Sequence, residues 1–151
     1  MDTNKILFVD DEPNIRDTIK ELLVFKNYDV RTVANGQEAL DVLDFWMPDL
    51  IICDIVMPVM NGAEFYENVK KNKLLSQIPF IFLSAKNEID LIRKCLLDGV
   101  DDFLTKPFKI NELMLVVTVK LERFEKYKNI QNSLHNDIKK NTFTIKPHLL
   151  L

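Results

Sequence analysis

Four short apolar runs, each closed by polar or charged residues, constrain the fold of this chain more than any other feature. Asp10 and Asp11 follow Ile6-Leu7-Phe8-Val9, and Asp54 follows Leu50-Ile51-Ile52-Cys53. Ser84 follows Phe80-Ile81-Phe82-Leu83, and Lys106 follows Phe103-Leu104-Thr105. Runs that are continuously apolar, rather than alternating, suit strands covered on both faces. If the runs are parallel strands, their closing residues emerge together at the carboxyl edge of one sheet, where open α/β sheets bind ligands. Three crowded carboxylates are not neutralised by one lysine. The expectation is an anionic pocket that holds a divalent cation and handles phosphoryl groups.

Helical spacing fills the gaps between the runs. Ile15, Ile19, Leu22 and Leu23 predict a helix near 14–27, and Val30 to Ala34 reads as a second strand ended by the turn pair Asn35-Gly36. Ala39, Leu40 and Leu43 mark a second helix, and Gly62 opens a third around Glu64 to Lys71. Ile89, Ile92, Leu96 and Leu97 mark a fourth, stopped by Gly99, and Asn111 is the expected cap of a fifth beginning at Glu112-Leu113. The order is five βα units, which predicts right-handed crossovers over a parallel, doubly wound sheet. The expected strand order is 2-1-3-4-5.

The 151 residues suffice for one domain with a full core. A net charge of −3 disfavours direct nucleic-acid binding. No apolar stretch approaches the roughly 20 residues of a membrane span, and the first residues do not read as a signal sequence. A cytoplasmic protein without a membrane partner is the expectation. Cys53 and Cys95 lack metal-ligand spacing, and Cys53 reads as a small buried hydrophobe.

The helical pattern continues past the fifth unit. Positions 113, 117, 120, 124, 127, 131, 134 and 138 recur in steps of four and three, and six of the eight are apolar. They read as a coiled-coil seam interrupted by Lys120 and Gln131. Leu113 and Val117 can equally pack on the home sheet while the remainder forms a solvated helix. With no Pro or Gly between 108 and 146, one helix reaching about Lys140 is expected, with Phe124, Tyr127, Leu134 and Ile138 beyond reach of the sheet. The terminal Leu149-Leu150-Leu151 suggests a boundary cut short.

These pieces together resemble the receiver domain of two-component response regulators. The matching residues are Val9-Asp10-Asp11-Glu12, Asp54-Ile55-Val56-Met57-Pro58 with Gly62, Ser84-Ala85, and Phe103-Leu104-Thr105-Lys106-Pro107-Phe108. The resemblance covers roughly residues 3–125 and implies a flavodoxin-like fold, with a receiver at 1–125 and a helical extension or linker at 126–151. It implies a phosphorylation-activated switch rather than an enzyme, with a histidine kinase or phosphotransfer protein as donor. By the same resemblance Asp54 is the phosphorylated nucleophile. Mg²⁺ is held by Asp11, by Asp10 through a water, by Asp54 and by the carbonyl of Val56. Lys106 pairs with Asp54 and then with the phosphoryl oxygens, aimed by a cis bond to Pro107. Ser84 binds the new phosphoryl group, and Phe103 swings inward when Ser84 moves.

The chain departs from the family's usual loop in carrying Asn61 where Asp is common, a change expected to leave activity intact. A hydrolase would need a second acid–base Asp two residues after the nucleophile, and that position is Val56. Val56 offers no polar atom and Lys86 no acceptor to a water attacking the phosphoryl group, which predicts a long-lived phosphorylated form. His135 sits in a stretch loosely similar to a kinase phospho-accepting helix, but nothing else in the chain supports that role. The output is expected to be partner binding or self-association, including a homodimer through the C-terminal helix. The alternative is the receiver fragment of a longer hybrid kinase or enzymatic-output protein.

Overall fold

The computed structural model describes residues 3–85 and 87–144, with side chains as far as Asn141; Lys86, Leu149, Leu150 and Leu151 lie outside the described residues. Five strands alternate with five helices: β1 (Lys5–Val9), α1 (Pro13–Phe25), β2 (Asp29–Val33), α2 (Gly36–Leu43), β3 (Leu50–Asp54), α3 (Gly62–Lys70), β4 (Phe80–Ala85), α4 (Ile89–Leu97), β5 (Asp102–Lys106) and α5 (Ile110–Thr144). A short 3-10 turn at Leu75–Gln77 precedes β4. The strands form one parallel sheet in the order β2-β1-β3-β4-β5, the order expected from the five βα units.

The continuous apolar runs conceal a period of two. Leu7, Val9, Ile51, Cys53, Phe80 and Phe82 face one layer, against Phe65, Tyr66 and Ile92 of α3 and α4. Ile6, Phe8, Leu50, Ile52, Ile81 and Leu83 face the other, against Ile19 and Leu23 of α1 and Leu113, Val117 and Leu121 of α5. The first layer is stiffened by aromatic edges, with ring centroids 4.9 Å apart for both Tyr66–Phe80 and Phe80–Phe82. Because both faces are sealed, only the strand ends are left for polar chemistry.

One helix start agrees with the sequence reading and one differs. Asn61 caps α3 by accepting the Glu64 N–H at 2.9 Å, so the helix begins at Gly62. Asn111 is not a cap: α5 starts at Ile110, and the carbonyl of Lys109 accepts the amides of Glu112 and Leu113.

The extension also stays on the body longer than expected. Lys120 does not stand in an open seam; its ammonium donates to the Asp101 carbonyl at 3.2 Å and lies 3.5 Å from Asp102. Phe124 is half-buried in a hollow it shares with Gln77 and Pro79, and Lys128 reaches Asp49 at 3.6 Å. Phe124 thus faces its own domain across that hollow, beside the 3-10 turn before β4, with the Lys128 ammonium 5.0 Å from its ring centroid. Beyond Lys128 the side chains of Ile130, Leu134 and Ile138 are exposed. Among the described residues no helix is long and apolar enough to cross a membrane.

Candidate functional site

Strand ends deliver the polar groups. β1 runs into Asp10 and Asp11, β3 ends on Asp54, β4 carries Ser84 near its end, and β5 ends on Lys106. Asp10 and Ser84 are fully buried and Asp54 nearly so, while Asp11 is exposed. The Lys106 ammonium donates to Asp10 Oδ2 at 2.8 Å and to Asp54 Oδ2 at 3.1 Å. The bond from Lys106 to Pro107 is cis.

Backbone and α1 hold the acidic loop. Asp10 Oδ1 accepts the Glu12 N–H at 2.9 Å, and the Asp10 carbonyl accepts from the Arg16 guanidinium at 2.7 Å. On the other side of the pocket, Gly62 packs so closely that an added Cβ would lie 2.2 Å from the Asp54 carbonyl oxygen. Between them Val59 takes φ +67° while Met60 N–H bonds back to Pro58, a strained γ-turn for a β-branched residue. Val56 lies two residues past Asp54, its side chain exposed.

Electrostatics follow from this crowding. Burial pushes the Asp54 carboxyl up to about 6; Lys106 opposes the shift, and the charges of Asp10 and Asp11 add to it. For Lys106, burial lowers the pKa, but the hydrogen bond to Asp10 and the charges of Asp54 and Asp10 outweigh it, and the net shift is upward. Burial, reinforced by the Asp54 charge, drives the Cys53 thiol well above its usual value, so Cys53 stays a neutral thiol, which donates to the Asp54 carbonyl at 3.1 Å.

One oxygen from each of Asp10, Asp11 and Asp54 lies within 4.8 Å of the others. Ligands of Mg²⁺ at 2.0–2.1 Å stand at most about 4.2 Å apart, so small side-chain adjustments would close a shell of hard oxygens. Three carboxylates against the single Lys106 leave a charge deficit that a divalent cation matches. The donor set fits that ion.

The hydroxyl of Ser84 is buried with no hydrogen-bond partner, the only such side-chain atom among the described residues. A buried hydroxyl left unpaired costs about 1–3 kcal/mol, so this donor is available to an incoming acceptor. Phe103 is half-buried and lines a hollow of about 530 Å³ with Ile89, Ile92 and Leu96 of α4. His135 is exposed on α5, in the stretch beyond Lys128.

All the predicted site residues except Phe103 gather at the carboxyl edge; Phe103 lies beside α4. Sequence reasoning missed Arg16, the Asn35 cap and Gly36, whose N–H bonds the Met60 carbonyl at 3.0 Å and braces the loop after β3. The caps had a signal: Asn35-Gly36-Gln37-Glu38 and Asn61-Gly62-Ala63-Glu64 both carry a capping residue with Glu three positions later. Arg16 had none, because its partner is a main-chain carbonyl.

Residues 6–118 match the response regulator receiver domain family. The response regulator SaeR of Staphylococcus aureus strain USA300 is 37% identical over 122 residues, which is 81% of this chain and 52% of SaeR. The chain thus spans about half the length of the curated relatives it matches. A putative response regulator from Chloroflexus aurantiacus J-10-fl superposes with a TM-score of 0.75 at 30% identity, over 80% of this chain and 99% of its own. The receiver domain of sensor histidine kinase PA1611 from Pseudomonas aeruginosa PAO1 has a magnesium ion coordinated in its active-site cleft. It superposes with a TM-score of 0.72 at 30% identity, over 80% of this chain and 99% of its own. With family, fold and strand-end residues in agreement, the chain belongs to the response regulator receiver domain family.

Proposed function

We propose that Asp54 accepts a phosphoryl group from a phosphohistidine on a histidine kinase or phosphotransfer protein, and that the modified domain changes its partner or self-association. The general function of the family is a phosphoryl-accepting signalling switch, not an enzyme. The observation that carries the assignment is the Lys106 ammonium shared between Asp54 and Asp10. An Asp54 oxygen attacks phosphorus, the O–P bond forms, the P–N bond breaks, and the imidazole leaves with its proton. Lys106 follows the charge onto a phosphoryl oxygen, and Ser84 donates its unpaired hydroxyl to another. Such transfer needs little beyond positioning and charge neutralisation.

Asp10, Asp11 and Asp54 with the Val56 carbonyl would hold Mg²⁺. When bound, the ion supplies positive charge against the phosphoryl oxygens. We assign Phe103 as the switch aromatic, moving into the hollow beside α4. Val56, with no polar side-chain atom, favours a long-lived phosphorylated state. We place the protein in the cytoplasm.

Treatment with a small phosphodonor and Mg²⁺ should add one phosphoryl mass to the intact chain, and Asp54→Asn should add none. Equal labelling of the variant would remove the assignment.

We further assign 1–125 as the receiver and 126–151 as an extension through which two chains pair. Tyr127, Ile130, Leu134 and Ile138 fall within about 80° of arc at 100° per residue, and each is 47–64% exposed. So narrow a stripe supports only a weak, phosphorylation-sensitive dimer. Light scattering over a concentration series should show mass rising with concentration; a monomer throughout, in both phosphorylation states, would leave the extension as a linker. A second reading, the receiver segment of a longer signalling protein, is favoured by the relatives' length, of which this chain spans 52%.

A further inference from the structure

The end of β4 holds a contact that phosphoryl transfer to Asp54 does not require. Leu83 stands opposite Asp54 in the ladder, and its carbonyl accepts the Ile55 N–H at 3.1 Å. Backbone groups of alternate residues point the same way along a strand, so the N–H of Ala85 also points toward β3 and Asp54. Its ladder partner would be the Ile55 carbonyl, but that group accepts the Gly62 N–H at 2.7 Å. The Ala85 N–H goes instead to Glu88 Oε2, at 2.9 Å.

Glu88 is the residue that precedes α4. Its carbonyl accepts the Ile92 N–H at 3.0 Å, and its own N–H bonds the Ala85 carbonyl at 3.1 Å. A polar side chain in this position commonly accepts an N–H from the helix's first turn. That of Glu88 makes no such bond, its carboxylate reaching back to β4. An anion therefore sits on a strand-end donor adjacent to the unpaired Ser84 hydroxyl.

We propose that Glu88 is a positioning residue for phosphoryl transfer: it occupies the Ala85 N–H in the unmodified protein and is displaced when a phosphoryl oxygen on Asp54 takes that donor. The inference rests on Asp54 as the acceptor. One N–H cannot serve both anions at full strength, and the phosphoryl group brings further negative charge that repels the carboxylate. Released, Glu88 is free to cap α4, which lines the hollow beside Phe103. The contact thus couples the pocket to α4 by differential affinity for two states.

Beryllofluoride with Mg²⁺, an inorganic stand-in for the phosphoryl group, is titrated into the full chain, Glu88→Ala and Glu88→Gln, followed by ¹H–¹⁵N NMR. In the free protein Glu88→Ala should move the Ala85 amide proton upfield, the mark of a lost charged acceptor. Beryllofluoride should bind Glu88→Ala about 3- to 10-fold more tightly than the wild type, the worth of one net hydrogen bond. Glu88→Gln, which keeps the side-chain size and one oxygen acceptor, should fall between them and guards against a folding defect in the alanine variant. An unmoved Ala85 amide, or affinity unchanged or weakened in both variants, overturns the proposal. Binding that Asp54→Asn abolishes while Glu88 variants leave it untouched removes the Glu88 contact alone. No binding to any chain removes the assignment of Asp54 and the Glu88 contact with it.

Discussion

At the amino edge of the sheet, Asp49, Asp101 and Asp102 each have their own donors. Asp49 accepts the Lys5 N–H at 2.8 Å and faces Lys128, and Asp101 accepts the Phe80 N–H at 2.7 Å. Asp102 accepts the Phe103 N–H at 2.8 Å and pairs with Lys120. At the carboxyl edge, Asp10, Asp11 and Asp54 crowd around one lysine, and a serine hydroxyl beside them has no partner. The residue types are alike; the charge balance is not. Carboxylates at the amino edge serve as caps for strand-end amides, whereas those at the carboxyl edge form a deficit of positive charge that a divalent cation can fill, beside an unpaired hydroxyl that can donate to a phosphoryl oxygen.

The largest contrast should come from deleting one lysine at each edge. Lys106→Met leaves the fully buried Asp10 and the nearly buried Asp54 without their cation, and should cost about 3 kcal/mol in urea unfolding at pH 7.5. Lys128→Met removes a half-exposed partner and should cost under about 1 kcal/mol. Equal losses would break the comparison.

Next comes a change of opposite sign. The folded state raises Asp54 from 3.8 to about 6, so it holds the proton more tightly than the unfolded chain does. The stability contributed by that proton is complete below pH 4 and is lost as pH rises through 6. Ionised Asp54 therefore costs on the order of 1–3 kcal/mol near neutrality. Asp54→Asn should stabilise the fold by about that amount at pH 7–8, with the gain vanishing toward pH 4; a less stable variant at pH 7–8 would refute the deficit.

The smallest effect should be that of the ion itself. At five times its dissociation constant Mg²⁺ should add about 1 kcal/mol to the wild type, read as a shift in thermal midpoint. The shift should shrink in Asp11→Ala. Identical melts of the wild type with and without Mg²⁺ would argue against an ion among these carboxylates.

Much of this architecture was legible in the residues. Runs such as Leu50 to Cys53 are too apolar for any place but a doubly covered strand, and Asp54 at the end of such a run had one edge to occupy. Less visible were contacts made through the main chain. Arg16 and Glu88 bond to backbone atoms of Asp10 and Ala85, and backbone atoms carry no residue code. Lys120 and Phe124 fit a seam by spacing, yet Lys120 finds acceptors at the start of β5 and Phe124 lines a hollow beside the 3-10 turn at Leu75–Gln77. Helix periodicity gives a face, not what covers it.

The charge-deficit account stands on the phosphoryl group residing at the end of β3. Borohydride reduces an aspartyl phosphate to homoserine, which marks the acceptor permanently. After phosphodonor treatment, reduction and peptide sequencing, the account predicts homoserine at position 54 and at no other aspartate. Homoserine at position 10 or 11, or at Asp49, Asp101 or Asp102 of the opposite edge, would contradict it.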